Sequence, residues 1–270
     1  MHIHFLDTYQ PRQSPVHAMD GRVKLVLAVA FLLTTSLTPM GAWAVYILLL
    51  ALLLSVELLS ELPIGYFLKR AFFALPFVLA ALPLPFTVPG KSLAEFSVGG
   101  IAFHITSEGL VRLISITIKS WLSVQVAILL TVTTSFPDLL QAMRALRLPR
   151  LLVAVFGLMW RYLFVLVDEA LRLLRARSAR SSQHPQSKYR PGRSVAWRAQ
   201  VTGSMAGSLF LRAFERSDRI YLAMLARGYD GEVRLKPLPP LSRVQWLSLT
   251  LGMMVLLLIF VFGQLLLLLR

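Results

Sequence analysis

Five stretches of the chain approach the length and apolarity of a membrane-crossing helix, and no other feature of the sequence narrows its possible folds so far. They run from Val23 to Thr38, Ala42 to Leu59, about Ala71 to Val88, about Leu110 to Thr134, and Val244 to Leu269. A helix crossing about 30 Å of hydrocarbon needs about 20 mostly apolar residues, since each adds about 1.5 Å. The Pro39-Met40-Gly41 break makes the first two stretches a helical hairpin. Pro76, Pro83 and Pro85 interrupt the third, each removing a backbone donor and disfavouring helix at the residue before it. That span is therefore predicted to be kinked or partly unwound, with neighbours satisfying its freed carbonyls. Hydrophobic residues make up 56% of the chain, against roughly 45–50% in soluble domains, so lipid is the solvent that accommodates the excess.

Charge sets the expected orientation. A formal net charge of +15 would point to nucleic acid in a soluble protein, but in a membrane protein Lys and Arg gather in cytoplasmic loops. Residues 140 to 243 hold 19 of the 28 Lys and Arg but 6 of the 13 Asp and Glu, a local surplus of +13. Arg22 and Lys24 place the N-terminus inside, Lys69 and Arg70 return the second span to the same side, and the 89–109 loop outside carries Lys91 as its one Lys or Arg. The apolar run from Leu151 to Val167 is expected to be interfacial or cytoplasmic, because a crossing there would split the basic segment across the membrane. The opening residues lack the short apolar core and cleavage site of a signal peptide, so the first span is expected to act as its own insertion signal. With no cysteine, disulfide, CxxC and thiolate–metal chemistry are excluded.

The basic segment divides at the polar loop from Ser181 to Arg193 into two helical arms. In the second, Phe210, Phe214, Tyr221 and Leu225 fall on one face, with Arg212, Arg216, Arg219 and Arg227 opposite. The first carries an apolar stripe of Trp160, Phe164, Val167, Leu171 and Leu174, with Arg161, Asp168, Arg172 and Arg175 beside it. Arg177 falls outside that row, and the helix is expected to end or change phase near Ala176. Ala176-Arg177-Ser178 and Ala226-Arg227-Gly228 then close the two arms. A small residue on either side lets a guanidinium enter a groove, where its planar fork meets carboxylates or carbonyls with several donors at once. One such tripeptide alone is explained by the basic bias of a cytoplasmic loop; the matched pair is the stronger signal.

No GxxxxGK[ST], HExxH or GxSxG occurs, so a nucleotide cradle and the common hydrolytic sites are missing from this sequence. His2 and His4 form a His-x-His pair of a kind that suits nickel, cobalt or zinc, although a complete site needs more ligands and a tail with two incidental histidines is the plainer reading. His17 and His104 have no partner that the sequence identifies. Arg112 and Lys119, seven positions apart in the fourth span, either snorkel outward or face an interior partner. Glu57 and Glu108 are the candidates to pair with Lys119, while Glu57 and Glu61 serve equally as interfacial charges.

Three stretches together resemble the CbiQ/EcfT family, the transmembrane T components of energy-coupling factor transporters, and within it the cobalt branch. They are Asp7 with the run from Ser14 to Leu25 (SPVHAMDGRVKL), the run from Arg161 to Ala170 (RYLFVLVDEA) leading to Ala176-Arg177-Ser178, and Arg212 through Glu215 and Arg216 to the run from Tyr221 to Tyr229 (YLAMLARGY). Gly21 departs from the proline common in this opening. The resemblance implies an all-α integral membrane protein with about five transmembrane helices and a cytoplasmic pair of amphipathic coupling helices. Arg177 and Arg227, flanked by Ala176, Ser178, Ala226 and Gly228, would dock into two ATP-binding-cassette subunits similar to CbiO, supported by Arg161, Tyr162, Asp168, Glu169, Arg212, Glu215, Arg216 and Tyr221. A membrane subunit similar to CbiM, with a small accessory membrane subunit, would bind the substrate. This chain would hold no metal and no cofactor, ATP being bound by its partners.

These readings divide the chain into residues 1–134, with a tail and four spans, a cytoplasmic coupling region at 135–243, and a last span at 244–270. They place it in the cytoplasmic (inner) membrane of a prokaryote as a non-catalytic transporter subunit for cobalt, nickel or a vitamin. A membrane-anchored polybasic binder of nucleic acid or anionic lipid is the alternative of another class. A self-contained carrier would need an inverted repeat or polar pathway, and neither is apparent.

Overall fold

The structure, a computed structural model, describes residues 9–98, 101–180, 194–231 and 240–268. His2, His4, Asp7 and the polar loop 181–193 lie outside the described residues. In chain order the elements are α1 (Pro15–Ala18), α2 (Gly21–Leu37), α3 (Trp43–Leu59), α4 (Ile64–Ala71), a 3-10 turn (Phe72–Ala74), α5 (Leu75–Ala81), α6 (Leu84–Thr87), β1 (Ser92–Val98), β2 (Ile101–Thr106), α7 (Ser107–Thr133), α8 (Phe136–Ala145), α9 (Arg150–Arg180), α10 (Val195–Ala226) and α11 (Arg243–Leu268). The protein is therefore an all-α membrane protein to which one short hairpin is added. In that hairpin β1 and β2 pair antiparallel, with Glu95 opposite His104, where the sequence reading had only a loop.

Two compact units divide the chain, one of Arg147–Pro237 and the other of His2–Leu146 with Leu238–Arg270. In the second unit α2 and α3 each pack against both α7 and α11. Val45, Leu49 and Leu122 are wholly buried at the centre of this bundle, in one cluster with Phe31, Leu53, Val126, Leu256 and Ile259. Its outward faces are also apolar: Phe72 and Phe73 are each 72% exposed and Ile47 65%, an arrangement that suits hydrocarbon rather than water. The helix α8, assigned by the sequence reading to the 135–243 region, packs on α2 in this unit.

The third span is broken as its prolines dictate. Pro76 and Pro85 fall in the first turns of α5 and α6, where a missing N–H interrupts no helical bond. The Thr106 hydroxyl donates to the carbonyls of Val88 (2.8 Å) and Pro85 (3.2 Å), supplying partners that the interrupted helix lacks. At Gly109 the α7 backbone approaches α6 so closely that a Cβ would lie 2.6 Å from Leu84 O and Pro85 Cα. The span also begins earlier than expected, so Lys69 and Arg70 lie in the last turn of α4, with the Arg70 guanidinium 4.5 Å from the Tyr66 ring centre.

Two lysines tie α2 and α7 together end to end. Lys119 of α7 donates to the Ser36 carbonyl (3.1 Å) and the Thr38 carbonyl at the C-terminus of α2. Lys24 of α2 donates to the Thr133 carbonyl (2.8 Å) at the C-terminus of α7. Each ammonium thus satisfies carbonyls that a helix end leaves without partners and opposes the negative end of its dipole. The expectation that Lys119 pairs with Glu57 or Glu108 is corrected: backbone oxygens accept its hydrogen bonds, and Glu57, 1% exposed, has no hydrogen-bond partner for either carboxylate oxygen among the described residues. The turn between α2 and α3 is fixed by the same helix, through the Gly41 N–H to the Ser115 hydroxyl at 3.0 Å. Before α2, Asp20 caps the Arg22 N–H and accepts both arms of the Arg22 guanidinium (3.0 and 2.7 Å), which holds its carboxyl below the usual carboxylate range.

Among the described residues four helical segments are long and apolar enough to cross a membrane: Gly65–Thr87, Ser107–Thr133, Arg150–Arg180 and Arg243–Leu266, with Trp43–Leu59 shorter. The 17 residues of α2 and of α3 each give about 25 Å, less than an average bilayer core.

Candidate functional site: the two arms

The unit of Arg147–Pro237 is built on α9 and α10. The apolar run from Leu151 to Val167 and the first arm form one helix of 31 residues, since nothing between Val167 and Ala176 interrupts it. It also continues through Arg180, so Ala176-Arg177-Ser178 lies inside the last turns of α9 rather than at an end near Ala176. Ala and Arg are both strong helix formers, and no Gly or Pro stops them.

The two helices run antiparallel, as their cross-contacts require. Glu169 of α9 accepts from Arg216 Nη2 at 3.0 Å and from Arg212 Nη1 at 3.3 Å on α10. Eight residues further along α9, Arg177 Nη1 donates to the Thr202 hydroxyl at 3.2 Å, with its guanidinium 6.0 Å from the Trp197 ring. Arg212 and Arg216 therefore turn toward α9, and two members of the basic row expected to face an anionic partner are used inside the hairpin. Glu169 is 17% exposed, Arg216 34% and Arg212 57%, so the Arg216 contact is the less screened of the two.

The expected apolar face of α10 is largely bare: Phe210 is 68% exposed and Phe214 60%, while Tyr221, 54% exposed, also borders the groove toward α9. Trp160 and Phe164 meet edge to face on α9 at 5.1 Å. A largely apolar groove of about 500 Å³ lies between the arms, with Met159, Tyr162, Leu166, Ile220, Tyr221 and Met224 among its walls. Arg161 is exposed near the Tyr162 ring, Glu215 is exposed, and Asp168 is half-buried on α9.

Arg227 is placed differently from Arg177. Ala226 is the last residue of α10, Arg227 is its C-cap and Gly228 follows at φ +78°. The Gly228 N–H bonds to Leu225 O (2.9 Å) and the Tyr229 N–H to Met224 O (3.0 Å), a complete Schellman closure. No atom lies within 4 Å of a Cβ built at Gly228. Gly228 is thus required by the left-handed backbone that presents Arg227 at the helix end, whereas the sequence reading credited only its small size. Gly228→Ala is expected to lower stability by about 1–2 kcal/mol and Gly228→Asn by less. Thermal unfolding of both variants checks this, and an alanine variant as stable as the parent would refute it.

Of the predicted residues, the structure joins Glu169 with Arg212 and Arg216, and leaves Arg177 and Arg227 far apart on the same hairpin. Trp197 and Thr202, which receive Arg177, carried no sequence signal, because an isolated aromatic and a hydroxyl near a helix start have no periodic signature. No cluster of three or more metal-ligating side chains occurs among the described residues.

Residues 12–238 match the family model described as CbiQ, cobalt transport protein. The energy-coupling factor transporter transmembrane protein EcfT of Listeria innocua is 28% identical over 236 residues, covering 84% of each chain. The cobalt transport protein CbiQ of Rhodobacter capsulatus is 24% identical over 201 residues, 74% of this chain and 78% of the relative. A protein of Methanocorpusculum labreanum named as a fused cobalt transport protein CbiMQ is 23% identical over 254 residues, 89% of this chain and 40% of that one. The family match spans most of the chain, including most of the apolar bundle and the arm pair with Arg177 and Arg227, and this chain belongs to the CbiQ/EcfT family of multi-pass membrane transport proteins.

Proposed function

We propose that the chain is the coupling component of an ATP-driven cobalt importer, a non-catalytic subunit that passes motion from two ATPase subunits to a substrate-binding membrane subunit. The spacing of the two arginines carries this reading. Arg177 is level with Thr202, and from Thr202 to Arg227 the helix advances about 37 Å, so the guanidiniums stand near opposite ends of one hairpin. One hairpin can then engage two motor subunits at once, and Glu169 makes its helices move together. Giving up the Thr202 hydroxyl on engagement costs Arg177 about 1 kcal/mol, small beside a buried charged contact.

ATP is bound and hydrolysed by the partners, and the bare face of Phe210, Phe214 and Tyr221 offers apolar contact to the membrane subunit. Cobalt is supported by the family description and by the names of the Rhodobacter and Methanocorpusculum relatives, the fused CbiMQ also favouring a CbiM-like partner. The metal is the cargo of that partner. The +13 surplus of residues 140 to 243 supports a cytoplasmic position for the hairpin and the N-terminus.

The absence of native cysteine makes a direct test possible. Single cysteines at Gln186 and Asp230 are expected to react with an impermeant maleimide only after cells are permeabilised. Two ATPase subunits and a small membrane protein are expected to accompany the chain through purification in mild detergent. Labelling of either site in sealed cells, or purification without an ATPase, would sink the proposal.

A further inference from the structure

Within the membrane-spanning bundle lies a cavity of about 170 Å³, walled by α2, α3, α7 and α11, with Val16 of α1 and Met19 also lining it. Its lining is apolar except for Lys24 and Thr133, which meet at one end. An apolar space of this kind does not hold water, and a cavity of about 150 Å³ admits a benzene ring. The volume therefore suits a length of hydrocarbon and excludes a head group. Along α2 the wall from Lys24 to Phe31 is about 10 Å long, so the site is a slot with one polar end.

The polar end is unsaturated in one respect. An ammonium has three donors, and Lys24 uses two of them, on the carbonyls of Thr133 (2.8 Å) and His17 (3.3 Å). The nearby carboxylates make their hydrogen bonds elsewhere, Asp20 with Arg22 and Asp138 with the Ser135 hydroxyl, and act on Lys24 through their charge without bonding to it. Hydrocarbon is the solvent around this unit, and a chain with an anionic head at one end matches both the slot and its charge.

We propose that this cavity binds part of one acyl chain of an anionic phospholipid of the surrounding bilayer, with a phosphate oxygen accepting a hydrogen bond from the third N–H of Lys24. Ala28 and Gly252 line the slot, and a Cβ at Gly252 would lie 2.7 Å from Leu27 Cδ2, a flexible atom of another lining residue. Ala28→Phe therefore fills the site directly, and Gly252→Ala narrows it through Leu27.

The full chain with its partner subunits, reconstituted in phosphatidylcholine nanodiscs with or without phosphatidylglycerol, provides the test by native mass spectrometry of retained lipid. The parent is expected to retain phosphatidylglycerol in preference to phosphatidylcholine, and phosphatidylglycerol to raise its unfolding midpoint by about 2–4 °C. Ala28→Phe and Gly252→Ala are expected to reduce retention about tenfold while the partner subunits stay attached. Lys24→Gln, which keeps two donors without the charge, is expected to retain lipid without preference between the two. Should Ala28→Phe unfold, seen as loss of the partners, Gly252→Ala decides. Equal retention by the parent and the filled variants overturns the site, as does a photo-crosslinker at Leu130 that captures a protein subunit instead of lipid. An unchanged preference in Lys24→Gln overturns the head-group assignment.

Discussion

A chain carrying both Arg177→Ala and Arg227→Ala is expected to insert normally but to lose uptake and release its ATPase subunits. On the proposed docking each guanidinium would be buried against carbonyls or a carboxylate of a partner and be worth about 2–5 kcal/mol, so each truncation alone is expected to weaken ATPase binding about 30-fold or more. Because the two lie about 37 Å apart along the hairpin, their effects should add, and the double variant should fall below any detectable assembly. Arg→Lys at either position should rescue only partly, since a lysine brings a point charge without the planar fork. Co-purification of the ATPases with each variant, beside cobalt accumulation in cells, measures both effects. Retained assembly and uptake in the double variant would end the assignment of the arms.

Removal of Glu169 should separate motion from binding. It is the acceptor shared by Arg212 (3.3 Å) and Arg216 (3.0 Å), and its loss leaves two cations facing α9 without a partner. Both contacts are partly screened, so Glu169→Ala is expected to cost the hairpin about 2 kcal/mol. The arginine ends remain, and the ATPases should still bind. The levers would no longer move as one, and uptake should fall well below that of the parent. Spin-label distances between α9 and α10 should broaden in Glu169→Ala. Exchanging the charges in Glu169→Arg/Arg216→Glu should narrow them again and recover part of the uptake. A Glu169→Ala chain with unaltered distances and full uptake would show that the brace is dispensable.

Local patterns account for what could be foreseen. Pro76, Pro83 and Pro85 announced a broken span because a proline acts on its own helix, whatever surrounds it. The bare aromatic face of α10 followed from its 3.6-residue period, and the helical hairpin of α2 and α3 from the Pro39 to Gly41 break. The arginine tripeptides were visible as words, but their settings differ: one lies within a continuing helix, the other at a cap built on a left-handed glycine. Lys119 was seen as a charge in need of a partner, and the partner sought was a carboxylate.

Length, apolarity, proline positions and charge sign are properties carried residue by residue, and from them alone came a membrane protein of helices with a basic pair of arms. Glu169 bridging to residues 43 and 47 positions away, Arg177 resting on Thr202, and Lys24 and Lys119 closing each other's helix ends emerged only in three dimensions. The physical reason is that a backbone carbonyl is the same in every residue and an ion pair has no preferred sequence separation. Which carbonyl or carboxylate meets a given cation is settled by how the helices pack, and that packing depends on the whole chain.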